Sequence, residues 1–169
     1  MRIFGHHKQS SRPLNEHQQA LKTTQTAVNK MIRERDAGLP CITCGGFHQL
    51  FAGHFRTSTN TTTRFHPYNL HGQCNSCNSF NGGMTYEHGL AIDLQYGEGW
   101  AAFLEKLARA KENWTTEELE QLRSAARMGP RAYEQLYFEL RPNHQNFSPS
   151  RRLPQSASSS PSEDSLGHL

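Results

Sequence analysis

Two Cys-x-x-Cys pairs, Cys41/Cys44 and Cys74/Cys77, carry the plainest chemistry in the 169-residue chain and account for all four of its cysteines. Each pair presents two sulfurs from one turn of backbone, and two such pairs complete the thiolate tetrahedron that zinc favours. An iron–sulfur cluster is the alternative metal. Redox-active thiols fit less well, because there are two pairs and no strand–helix–strand pattern surrounds them. A four-cysteine zinc has no open coordination position, so it is structural, and catalysis falls to the residues the pairs enclose. His48, His54, His66, Asn69 and His71 lie between the pairs, and Asn78 directly follows Cys77. Phosphodiester hydrolysis needs a base near neutral pKa, a divalent cation, and groups that hold both. His54, Asn69 and Asn78 suit those roles. Taken singly, each is a better candidate for a structural hydrogen bond; their grouping within one clamp is what points to a site.

The elements that must position these residues follow from the pattern on either side. From Asn15 to about Ala37 there is no Pro or Gly, and Ala20, Leu21, Ala27, Val28, Met31 and Ile32 share one side of a helical wheel. Gly38 and Pro40 end this helix and deliver the chain to Cys41. Its polar side carries Lys22, Lys30, Arg33 and Arg35, either a phosphate-contacting face or a solvated one. After the Gly45-Gly46 turn, a short strand is expected near 47–55 and STNTTT at 58–63 is a loop. A second short segment follows around 64–70, and a short helix from Asn78 to about Asn81 is stopped by Gly82-Gly83. The remainder is helical. Leu90 and Leu94 lie four apart in 86–96, and Trp100, Phe103, Leu104 and Leu107 form one face of 97–111, as core and not as a base-stacking platform. A Thr115/Glu118 capping box opens a helix through Leu119, Leu122 and Ala126, and Pro130 opens a last one with Tyr133, Leu136, Tyr137 and Leu140.

Composition bounds the class. A hydrophobic fraction of 34% and a mean hydropathy of -0.79 imply a modest core that metal would supplement. No stretch approaches the roughly 18 apolar residues of a membrane span, and the opening MRIFGHHKQSSR has no apolar signal core, so an intracellular soluble protein with no membrane partner is expected. The net charge of +3 is concentrated before and over the cysteine stretch, which suits a polyanion such as nucleic acid and equally an ordinary solvated basic helix. Three segments are expected: a flexible arm at 1–13, one domain at 14–141, and a disordered Ser/Pro-rich tail at 142–169.

Read in order, Cys-x-x-Cys, Gly-His, Asn-x-His-x-x-Cys-x-x-Cys-Asn resembles the HNH (ββα-metal) nucleases, in particular their zinc-stapled branch that includes endonuclease VII. IRERDAGLPCITCG, AGHFRT, RF, N-L-H-G-Q-C and CNSCN are most similar to the NinG/Rap recombination endonucleases of lambdoid phages. The resemblance runs from about Ala27 to Asn81. It implies an α+β, mainly helical fold: a ββα-metal core stapled by zinc at Cys41, Cys44, Cys74 and Cys77, flanked by an N-terminal helix and C-terminal helices. It further implies that His54 is the general base, that Asn69 orients it through a hydrogen bond, and that Asn78 binds a catalytic Mg2+ or Mn2+. Where many HNH enzymes carry an acidic ligand before the catalytic His, this chain has Gly53. A further ligand, either His71 or substrate phosphate oxygens, is then implied, with His71 alternatively a stabiliser of the leaving oxygen, and His48 and His66 have structural or phosphate-binding roles. Arg33, Arg35, Arg56 and Arg64 are the residues expected at the DNA. The implied activity is cleavage of branched DNA (Holliday junctions or D-loops) in phage recombination, by a homodimer in the cytoplasm of the bacterial host. The rival functions are a non-catalytic zinc module that binds DNA or a recombination partner, and a sequence-specific HNH endonuclease.

Overall fold

The structure, a computed structural model, describes residues 13–145. Helix α1 spans Glu16–Arg35. Asn15 caps it reciprocally with Gln18, each side chain bonding the other's backbone N–H, an arrangement that contributes about 1 kcal/mol. The helix ends two residues short of the expected boundary, because Asp36 leaves helical geometry and Gly38, at φ +79°, turns the chain towards Cys41.

Strands β1 (Leu50–His54) and β2 (Leu70–Cys74) form a two-stranded antiparallel sheet. Leu50 pairs with Cys74, Gly53 with His71 and His54 with Leu70. The second strand therefore lies later than the 64–70 expected from sequence. Pro67 cannot donate to a ladder, and Pro67–Asn69 instead close a tight 3-10 turn from which β2 departs. Both sheet faces are covered, so β2 is buried at every position and shows no alternation of polar and apolar residues. After it, Ser76–Phe80 makes one wide turn closed by the Asn81 N–H to the Ser76 carbonyl, two residues ahead of the short helix read from sequence.

Helices α2 (Thr85–Tyr96), α3 (Trp100–Leu107), α4 (Thr116–Met128) and α5 (Pro130–Leu140) complete the fold. The sheet lies between two cores. On one side α1, α4 and α5 bury Val28, Ile32, Leu119, Leu122, Tyr133 and Tyr137 with Leu70 and Phe65. On the other, Phe55 meets Ile92, Trp100 and Leu104 of α2 and α3. The inward stripe of α2 is His88, Gly89 and Ile92, while Leu90 and Leu94, the pair that marks the helix in sequence, are exposed. Gly89 lies against the Phe55 ring, where a side chain would crowd the helix off the sheet. The folded segment also runs past the expected boundary at 141. Pro142–Gln145 form a 3-10 turn that buries His144 against the Tyr137 hydroxyl, 2.7 Å from its Nδ1. The rest of the expected arm and tail lies outside the described residues. Among these, no helix is long and apolar enough to cross a membrane.

Candidate functional site

The four cysteines meet at one end of the sheet. Gly45, at φ +70°, closes the first knuckle by donating its N–H to the Cys41 carbonyl, and Ile42 N–H bonds Gly72 O, docking the knuckle on β2. Cys74 ends β2, and Cys77 lies on the wide turn that follows. All four sulfurs fall within 4.8 Å of one another, and Cys44 Sγ is 3.9 Å from Cys74 Sγ. That separation is far beyond a disulfide bond and close to the edge, about 3.8 Å, of a sulfur tetrahedron around zinc at about 2.3 Å. Burial opposes ionisation of Cys41, but N–H groups of Cys44, Cys74 and Thr43 and the Thr43 hydroxyl hold its thiol down to about 6, in the range of a ready metal ligand. The cluster can hold a metal ion such as zinc.

His54 closes β1, half-buried, with Nε2 3.2 Å from the carbonyl oxygen of Arg64. A carbonyl only accepts, so Nε2 carries the hydrogen of the neutral ring and Nδ1 is left with its lone pair and no partner among the described residues. Burial, reinforced by the Arg64 charge and opposed by the Arg64 carbonyl, lowers the His54 pKa to about 4. The ring is therefore uncharged at neutral pH.

Asn69 does not hydrogen-bond His54, as the resemblance implied. Fully buried, it accepts from Arg56 N–H at 2.7 Å and donates to the Arg56 and Thr63 carbonyls, both at 2.9 Å. It thereby ties down both ends of the loop whose next residue, Arg64, supplies the acceptor for His54. The influence on the imidazole passes through backbone. Asn78 sits half-buried on the wide turn, and its side chain forms no hydrogen bond among the described residues. Gly83 links the turn to His54. Its N–H donates to Cys77 O at 2.9 Å, and its position lies against the His54 carbonyl.

His71 lies on the other face of the sheet. It pairs with Gly53 while His54 pairs with Leu70, so the pleat directs the two imidazoles to opposite sides. His71 Nδ1 is 3.0 Å from His88 Nε2, and its Nε2 is 3.0 Å from the Tyr96 hydroxyl. Burial drives the His71 pKa well below its ordinary value, and the charge His88 would carry adds to the effect. His88 was missed from sequence; the available signal was a polar residue four before Ile92 on the inward stripe of α2. It is fully buried, and its Nδ1 has no partner among the described residues. His66 is also fully buried, ringed by Tyr68, Trp100, Tyr137 and Phe138, a structural position. His48 is exposed at the first knuckle.

The four arginines expected at DNA are placed differently. Arg33 is exposed on α1. Arg56 forms a loose, half-exposed pair with Glu105 at 3.7 Å. Arg64 bonds Gln25 of α1 at 2.7 Å. Arg35 turns inward, gripping both oxygens of Asp36 at 2.7 and 2.9 Å and the Leu70 carbonyl at 2.8 Å, while Asp36 accepts the Gly72 N–H. It staples α1 to β2.

The model of a family described as "Bacteriophage Lambda NinG protein" matches residues 5–135. Protein ninG of Salmonella phage P22 is 36% identical over 107 residues, covering 62% of this chain and 52% of the relative. Protein ninG of Escherichia phage lambda is 35% identical over 107 residues, with the same coverage. That of Escherichia phage 933W is 37% identical over 101 residues, covering 58% and 50%. The chain thus spans about half the length of the curated relatives it matches. No solved structure matches it. Four cysteines gathered by a small sheet inside a helical frame, on a sequence that the family model covers over most of its length, give the chain its place: it belongs to the NinG family.

Proposed function

We propose that this protein is a metal-dependent, structure-specific endodeoxyribonuclease of the HNH type that hydrolyses phosphodiester bonds in branched DNA. The observation that carries the reading is the His54 imidazole, held neutral and fixed in one tautomer by the Arg64 carbonyl, with Nδ1 available to take a proton. Two antiparallel strands followed by a turn and a helix, beside a four-cysteine cluster, are the parts a zinc-stapled ββα-metal core needs, and the sequence resemblance names the same residues.

In this reaction His54 Nδ1 accepts one proton from water as the water oxygen bonds to phosphorus, and the bond from phosphorus to the departing sugar oxygen breaks. Asn69 keeps the loop and its Arg64 acceptor in place, so the base neither rotates nor changes tautomer. Asn78 would hold the Mg2+ or Mn2+; its carboxamide forms no hydrogen bond among the described residues and offers a hard oxygen donor, which fits such an ion. A divalent ion bound there supplies charge neutralisation at the phosphate. His71 braces His88 and Tyr96 behind the sheet. Arg33 and Arg56, both accessible, are the side chains best placed for the DNA backbone, and Arg64 reaches it only by releasing Gln25. The branched substrate, the role in phage recombination, the homodimer that two coordinated cuts call for and the site of action in the bacterial cytoplasm rest on the resemblance.

The test is a labelled four-way junction incubated with Mg2+ and the parent or His54→Ala protein. The variant should lose at least about 100-fold in rate, the scale of a general base. Equal cleavage by the two proteins would overturn the assignment of His54 as the base, and a parent that binds the junction without cutting it would favour a zinc module that only binds. Equal cutting of junction and linear duplex by the parent would overturn structure specificity.

A further inference from the structure

Gln73 is fully buried on β2, on the sheet face opposite His54; it pairs with Phe51, two residues along β1 from Gly53, and it carries an anomaly. Its Nε2 donates to the Gly83 carbonyl at 2.9 Å, which fixes the plane of the amide. Its Oε1 is buried and has no hydrogen-bond partner among the described residues. The amide cannot turn this oxygen elsewhere without losing the Gly83 bond. Buried acceptors are costly to leave bare, and nearly all have a partner. The oxygen lies directly over the Gly53 α-carbon; a Cβ at residue 53 would run into it. Gly53 is therefore glycine because Gln73 occupies the space where its side chain would begin. The Gly83 carbonyl that orients the amide belongs to the residue whose N–H bonds Cys77 O and which lies against the His54 carbonyl. The Gln73 amide thus spans from Gly53 of β1, which its Oε1 faces, to the Gly83 bend, which its Nε2 holds.

We propose that Gln73 Oε1 is a ligand to a divalent cation of the hard, oxygen-seeking class, Mg2+ or Mn2+, supplying from β2 the oxygen that Gly53 cannot supply from β1. The inference rests on the endonuclease reading, since that reading calls for the ion. With Asn78 it makes a site of neutral carboxamide oxygens. Such a site holds the ion weakly by itself and tightly only once phosphate oxygens add negative charge, which couples ion uptake to substrate.

The experiment is an Mn2+ titration of the full-length, zinc-loaded protein, followed by paramagnetic broadening of amide resonances and compared among parent, Gln73→Met and Gln73→Glu. Zinc content and the unfolding midpoint establish that each variant is folded. Gln73→Met should weaken Mn2+ binding about tenfold or more, and Gln73→Glu, which adds a charge at the same atom, should tighten it by a similar factor. A third variant, Gly53→Asp combined with Gln73→Ala, moves the ligand to the other strand and should bind more tightly than Gln73→Ala alone. Equal affinity in parent, Gln73→Met and Gln73→Glu would overturn the inference and assign the bare oxygen to a buried water. A parent that takes up no Mn2+ would also overturn it. The junction assay with His54→Ala decides separately on the endonuclease reading, so the two can fail independently.

Discussion

One hydrogen bond settles what His54 can do. Because Nε2 faces a carbonyl, the ring has one neutral tautomer and one basic nitrogen, and burial keeps the proton off that nitrogen until about pH 4. The sign follows directly: a base with a lowered pKa is active above it and is lost as pH falls through it. Junction cleavage at saturating Mg2+ should therefore change little from pH 8 to pH 6 through this group and drop towards pH 4; a midpoint near 6.5 would mean that the catalytic base is an unperturbed histidine. The residue types at this site were legible beforehand, since His54, Asn69 and Asn78 stand at marked spacings from the cysteines. Their bonds were not. Asn69 reaches the imidazole through loop backbone, and Arg35, indistinguishable in sequence from Arg33, faces the sheet.

At the scale of elements, the loop between β1 and β2 is the part that makes a site of the hairpin. Beyond the three Asn69 bonds, it is tied to the far helices by Asn60 Nδ2 to Ala108 O, Thr62 Oγ1 to Ala110 O and Trp114 Nε1 to Thr61 O. Asn69→Ala leaves one N–H and two carbonyls without their partner and should cost about 2–4 kcal/mol in urea unfolding, with loss of junction cleavage. Asn69→Asp, which keeps only the acceptor role, should fall between the two. A cleavage rate unchanged by Asn69→Ala would refute the claim that the loop positions His54. The second strand was misplaced from sequence because a strand covered on both faces has no alternation to read, and because His66-Pro67 reads as extended chain when it in fact begins a tight turn. Helices α1, α4 and α5 were legible, since one face of each meets a core and the other meets water.

For the whole molecule, the question is what holds a two-stranded sheet in shape. Isolated hairpins are marginal, and this one is secured by α1 through Arg35 and Asp36, by α2 through His71, and at its end by the four thiols. Metal analysis should give about one zinc per chain. Cys74→Ser should lower that content and reduce the unfolding midpoint by more than about 10 °C, because the binding energy of a structural zinc is folding energy. Zinc-free protein of unchanged stability would remove the clamp from the account.

What the sequence determined by itself is chemistry at fixed spacing: the Cys-x-x-Cys pairs, the Gly-His, the Cys-Asn and the amphipathic helices. Each of these is local, fixed by residues within a few positions of one another. What only the tertiary structure decided is direction. The pleat sends His54 and His71 to opposite faces, the inward stripe of α2 brings His88 to His71, and the amide of Gln73 fills the gap at Gly53. Those outcomes depend on register and on which faces are covered. A shift of one residue in a strand reverses every side chain along it, and no local pattern in this stretch specifies that shift.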